Sequence, residues 1–179
     1  FKIPDDYDGL VPFSMYIAIP TPERGTWFGH NLASLNPVFP HLGLGGLGTV
    51  TKALALRSFR TQLQVGATQW ASSALFIHTR FGPLHLETAY TPAHSTLTTL
   101  TYTVVCNEES LRLALGHPDV SVDRPAPDFW IDSSDHAALE QLQRNIEAGE
   151  RFVAYGIDTR MLDVACRAGL AISKARVKK

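Results

Sequence analysis

VFPHLGLGGLGTVTKALALRSFRTQL, residues 38–63, is the stretch on which the fold turns. Its first half carries Pro40 and then Gly43, Gly45, Gly46 and Gly48, a density of glycine that no helix interior tolerates. Its second half is rich in Ala, Leu, Lys and Arg, all good helix formers. Ala53, Leu56, Phe59 and Leu63 recur at spacings of three and four, as one buried helical stripe requires, so a helix over 49–63 is expected with Thr49 at its start. A glycine-rich turn feeding a helix start gathers free backbone amides, to which the helix dipole adds partial positive charge. A phosphate or pyrophosphate suits such a spot, and glycine lets it approach closely. Lys52 would add a full charge. The same pattern also serves a tight strand-to-helix turn that binds nothing. A Rossmann site is excluded by context: Pro37 and Pro40 interrupt the strand it needs, and residues 60–75 hold no Asp or Glu for a ribose. The Gly-Lys-Ser/Thr of a P-loop is missing too.

Upstream, residues 13–19 read as a strand, 20–31 as a turn carrying Trp27 and Phe28, and 30–36 as a second extended segment ended by Pro37. Downstream, residues 64–71 are short for a strand plus loop. Residues 72–82 have a serine start and a glycine stop, which favours a helix with Ala74, Ile77 and Phe81 on one face over a strand. Segments 83–91 and 95–106 are rich in Thr, Tyr, Val and Leu and read as strands. A short helix over 108–116 and a proline-rich linker over 117–127 follow. A strand at 128–132 and a helix over 134–148 with Leu139, Leu142 and Ile146 as its stripe come next. A strand over 151–157 and a last helix from Asp158 to Gly169 close the chain.

The whole chain has 179 residues, which fits one domain of about 150 with an extension. Hydrophobic residues make up 45% and charged residues 18%, enough to bury a core. Sixteen basic residues against seventeen acidic give no field that favours nucleic acid or an anionic membrane surface, so neither is an expected partner. The basic cluster Lys174, Arg176, Lys178 and Lys179 reads as a solvated tail. Cys106 and Cys166 are too few for a disulfide framework or a four-cysteine zinc site, and a reduced, cytoplasmic setting is expected. No apolar run approaches the ~18 residues of a membrane span, and no leader pattern opens the sequence.

Together the pieces resemble the GNAT-type acyl-CoA N-acyltransferase superfamily over about residues 28–106. That family follows an extended strand with Val-x-Pro-x-x-Arg/Gln-x-x-Gly-x-Gly/Ala and a helix. Val38, Pro40, Gly46, Leu47 and Gly48 match in register, while Gly43 stands in place of Arg/Gln. A second family element, a short helix reading Ala-Ile-x-Leu-Tyr-x-Arg-x-Gly-Phe, is matched in spacing by residues 74–83, and two strands follow it as the family order requires.

The resemblance implies an α+β fold with a mixed, mainly antiparallel sheet flanked by helices. An acyl-CoA-binding core would span 1–106, and a C-terminal α/β extension over 107–179 would pack on it or form a homodimer contact. It implies transfer of an acyl group, with acetyl the expected one, from acetyl-CoA to an amine acceptor, a small molecule or a peptide. The cofactor site would comprise Val38, Gly43, Gly45, Gly46, Leu47, Gly48, Thr49 and Lys52. A backbone amide near Val38 would hold the thioester oxyanion. The family's proton-donating tyrosine falls on His78, a residue that also donates near neutral pH. His30 and Glu23 are the candidate bases. Two rivals stand beside this reading: a binding module that kept the fold without catalysis, and a metal enzyme using His85, Glu87 and His94.

Overall fold

The structure is a computed structural model of the chain, and it describes residues 6–36, 38–90, 99–121 and 126–154. Among these residues it is an α+β fold in which a six-stranded mixed sheet is accompanied by four helices. The strands are β1 (Ser14–Pro20), β2 (Thr26–Ser34), β3 (Leu63–Gln69), β4 (Leu84–Thr88), β5 (Thr99–Val105) and β6 (Val153–Ala154). The helices are α1 (Leu47–Ser58), α2 (Ser73–His78), α3 (Glu108–Ala114) and α4 (His136–Glu147). The sheet order is β1-β2-β3-β5-β4-β6. Every neighbouring pair is antiparallel except β2 and β3, which run parallel with α1 as the connection between them.

The elements follow from local chemistry. Gly43 and Gly46 adopt left-handed φ of +63° and +81°, which residues with a Cβ rarely take, and so release the chain from a 3-10 turn at Pro40–Leu42 into α1. Ser72 caps α2, its Oγ accepting from the Ala74 amide. On α2 the buried residues are Leu75 and His78 rather than the expected Ala74–Ile77 face, and a 3-10 turn over Thr79–Phe81 carries Phe81 into the core.

One cluster forms the core: Ala53 and Leu56 of α1, Leu75 of α2, Leu100, Tyr102 and Val104 of β5, and Leu111 and Ala114 of α3 are among its members. Helix α3 belongs to this core, and β6 extends the sheet beyond β4, so residues after 106 contribute to the same sheet and core. On α4, Leu139 and Leu142 are buried as expected.

Three expectations are corrected. The helix ends at Ser58 rather than Leu63, and Leu63 opens the strand β3 that the short 64–71 segment gave no sign of. The second strand begins at Thr26, so Trp27 and Phe28 lie within it, and Trp27 stacks on Phe59 with ring centroids 4.6 Å apart. No strand forms at 128–132, where Phe129 and Trp130 are exposed. In the expected 151–157 strand, Val153–Ala154 is strand, and residues 155–157 lie outside the described residues. The expected helix from Asp158 to Gly169, the basic tail and Cys166 lie outside the described residues.

Candidate functional site

Strands β2 and β3 pair over four rungs, from Thr26 with Leu63 to Gly29 with Gly66. Beyond Gly29 the strand β2 runs on to Ser34, and beyond Gly66 β3 runs on to Gln69, without pairing to each other. The sheet therefore opens between its two parallel strands, leaving main-chain groups of both inner edges without strand partners. A β-bulge between Ile17 and Ala18 coincides with the parting: Asn31 faces Ile17 and Gly29 faces Ala18, which makes His30 the extra, exposed residue.

The glycine turn lies at this same end, because β2 runs into it and α1 runs back from it. The Asn36 side chain ties the two together by donating from Nδ2 to the Leu44 carbonyl. Gly43, Gly45 and Gly46 are exposed, and a Cβ built on any of them would meet nothing within 4 Å. The Gly43 amide donates to Pro40 O at 3.3 Å and that of Leu47 to Leu44 O at 3.4 Å. The amides of Gly45, Gly46, Gly48 and Thr49 have no hydrogen-bond partner among the described residues. No acidic side chain occupies the first turn of α1. Such a cluster of amides at a helix start suits an anion. Gly48 is needed for close packing: a Cβ there would lie 3.2 Å from Ile77 Cδ1.

Two expected cofactor contacts are corrected. Val38 is exposed, but its amide donates to Leu35 O at 2.9 Å, so it is not free to hold an oxyanion. Lys52 is the sixth residue of α1, and its side chain turns into the core, fully buried, instead of toward the glycine turn. Glu23 is also misplaced for a base, since it sits in the β1–β2 turn at the closed end of the β2–β3 pair. There its carboxylate accepts from Thr21 Oγ1 at 2.9 Å. His30 lies at the head of the opening, next to the last paired rung.

Buried in the core, Lys52 Nζ lies 2.8 Å from His78 Nδ1 and 4.5 Å from the centre of the Phe81 ring. Burial pulls the lysine down to about 7, a nearby Cys106 thiol pushing weakly the other way. Burial likewise holds His78 well below the usual imidazole range, reinforced by the Lys52 charge, so the ring is neutral. Cys106 is driven up to about 11, mainly by burial. Sequence reasoning named Lys52 and His78 for separate tasks; the fold brings them into contact.

A third group was missed altogether. Tyr16, Gln64 and Tyr102 converge on the last rung of the β2–β3 pair. Gln64 Nε2 donates to Tyr16 Oη at 2.9 Å, while Gln64 Oε1 and Tyr102 Oη are buried without a partner among the described residues. Gly29 and Gly66 provide the room. A Cβ on Gly29 would lie 2.5 Å from Tyr16 Oη, and one on Gly66 2.4 Å from Tyr102 Oη. The Tyr102 ring lies 5.3 Å from that of His78. The sequence signal was slight: one isolated glycine in each of two segments, as marks a close approach within a strand.

The metal reading gains no geometry. His85 is exposed, Glu87 accepts from Thr103 Oγ1 at 3.1 Å, and His94 lies outside the described residues. No group of three or more potential ligands occurs among the described residues. There, too, no helix is long and apolar enough to cross a membrane. The Trp70 indole N–H donates to Ala89 O at 2.7 Å. The chain matches no protein-family model, no curated protein and no solved structure.

Proposed function

We propose that the chain is an acyl-CoA-dependent N-acyltransferase whose donor is acetyl-CoA and whose acceptor is an amine. The observation that carries the reading is the open glycine turn, with its unpartnered amides, standing at the mouth of the opening between β2 and β3. The element order supports it: strand, glycine turn and helix are here β2, the turn and α1, and after β3 the short helix and two strands are α2, β4 and β5.

The parts divide the work as follows. The pyrophosphate lies against the exposed amides of Gly45 and Gly46, where backbone donors and the α1 dipole replace its water. The amide-bearing arm of coenzyme A runs into the opening and takes up main-chain groups that the parted strands leave unpaired. Its thioester then reaches the last paired rung. Held there, the acyl carbon meets an amine at high effective concentration. His30, exposed at the bulge, takes the proton that the amine must lose.

The departing thiolate needs a proton. Lys52, whose proton is held only weakly at neutral pH, passes one through His78: the ammonium donates to Nδ1 and the ring releases its proton from Nε2. Both residues thus act as one relay, in place of a single tyrosine acid.

Calorimetric titration with acetyl-CoA tests the reading. Wild type should bind. Gly45→Glu should not, because it sets a carboxylate among the amides at a position with free space and no left-handed φ. Its thermal unfolding should be unchanged. No heat with wild type, or unchanged affinity in Gly45→Glu, overturns the reading. Binding without release of coenzyme A to any amine or to water would leave the non-catalytic module.

A further inference from the structure

With the Val38 amide donating to Leu35 O, the carbonyl oxygen of the acyl group lacks its expected donor. The fold holds one elsewhere. Tyr102 is fully buried, and its hydroxyl has no hydrogen-bond partner among the described residues. An unpaired buried hydroxyl costs a fold roughly 1–3 kcal/mol, and phenylalanine would fill the same space without that cost. The hydroxyl stands against Gly66, the last residue of β3 that pairs with β2, so it marks the head of the opening. Two residues back on the same face of β3, Gln64 Oε1 is likewise buried and unpartnered. Its amide nitrogen is committed to Tyr16. One donor and one acceptor without partners among the described residues, both beside the last paired rung of β2 and β3, match a carbonyl and an N–H arriving together as the parted strands admit them.

Building on the acyltransferase reading, we propose that Tyr102 Oη–H is the hydrogen-bond donor to the acyl carbonyl, and that Gln64 Oε1 accepts from the N–H of the attacking amine. The amine nitrogen bonds to the acyl carbon as the carbonyl π electrons move onto oxygen. The phenol keeps its proton throughout, and its bond to that oxygen tightens as negative charge develops. The intermediate then collapses: the C–S bond breaks, the thiolate takes its proton through His78, and the amine proton leaves to His30. The seat recognises the acyl group alone and discriminates acylated from free coenzyme A.

The experiment measures affinities for acetyl-CoA and for coenzyme A in wild type and in Tyr102→Phe. Wild type should prefer acetyl-CoA. Tyr102→Phe should lose about threefold to tenfold in affinity for acetyl-CoA, the equivalent of one hydrogen bond, and keep its affinity for coenzyme A. The infrared carbonyl band of bound ¹³C-labelled acetyl-CoA should move to higher frequency in the variant. Thermal stability should hold or rise, since the hydroxyl removed was unpaired. Should Tyr102→Phe fail to fold, Gly66→Ala crowds the hydroxyl out of its hollow and should give the same selective loss. An equal loss for both ligands, no loss, or an unmoved carbonyl band overturns the role of Tyr102 while sparing the acyltransferase reading. Failure of wild type to bind either ligand takes down both.

Discussion

Lys52 is the most improbable residue of the core. An ammonium removed from water costs several kcal/mol unless its surroundings repay it, and no carboxylate forms an ion pair with it among the described residues. A ring nitrogen of His78 and the face of Phe81 offset only part of that cost. The protein answers by letting the proton go easily, at about 7 against an ordinary 10.5. The sign of the linkage follows. Between about 7 and 10.5 the unfolded chain holds the Lys52 proton and the folded one does not, so stability rises with pH across that window. His78, depressed in the fold, acts in the same direction below its usual 6.5, where unfolded chains bind the proton first. Cys106, raised to about 11 from an ordinary 9, acts the other way above about 9, so denaturant unfolding is compared at pH 7 and pH 8.5, where wild type should gain about 1–2 kcal/mol of stability at the higher pH. Lys52→Met, which keeps the stem and removes the charge, should flatten that gain. An equal gain in the variant would show that the titration lies elsewhere. In the relay reading the variant also slows turnover more than it weakens acetyl-CoA binding.

Among the elements, legibility tracked how local the determining physics is. The glycine turn and α1 were readable because helix propensity and left-handed glycines act within a few residues. The end of α1 was not. Arg60 takes a left-handed φ of +52°, and Thr61 N returns to Leu56 O at 3.0 Å, a helix stop that normally announces itself with glycine. With arginine there, the helical stripe seemed to run on to Leu63. Strand β3 stayed hidden for a related reason. Gln64, Gly66 and Thr68 hardly suggest an inner strand, yet Gln64 is buried to bond Tyr16 and Gly66 is small to receive Tyr102. Both justifications lie on other strands, so no local reading finds them. Helix α3 is the opposite case. Asn107 Oδ1 accepts from the Ser110 amide at 2.8 Å and the Ser110 hydroxyl returns the favour to the Asn107 amide at 2.9 Å, while two glutamates sit in the first turn. Asn107→Ala should cost about 1 kcal/mol in chemical denaturation, with Asn107→Asp close to neutral. A cost near zero for alanine would mean that packing of Leu111 and Ala114 alone holds the helix.

At the scale of the molecule, the functional reading depends on register. The two parallel strands share four rungs and then separate, and separation is a property of the sheet that neither strand carries in its own sequence. Half of the backbone groups along each inner edge therefore await a partner, while the outer edges of β2 and β3 are satisfied by β1 and β5. An open seam inside a sheet is costly unless something fills it, and an extended ligand carrying amides fills it as a further strand would. Hydrogen exchange should resolve the seam residue by residue. Without ligand, amides of His30–Ser34 and Ala67–Gln69 that face the opening should exchange faster than those of the paired rungs Thr26–Gly29 and Leu63–Gly66. On adding acetyl-CoA, protection should rise along the inner edges and at Gly45 and Gly46 together, because one molecule spans turn and seam. Protection of the turn alone would describe an anion site without a place for the arm. Slow exchange along the inner edges before any ligand is added would mean that the strands close on each other in solution, and the acyltransferase reading would lose its cleft.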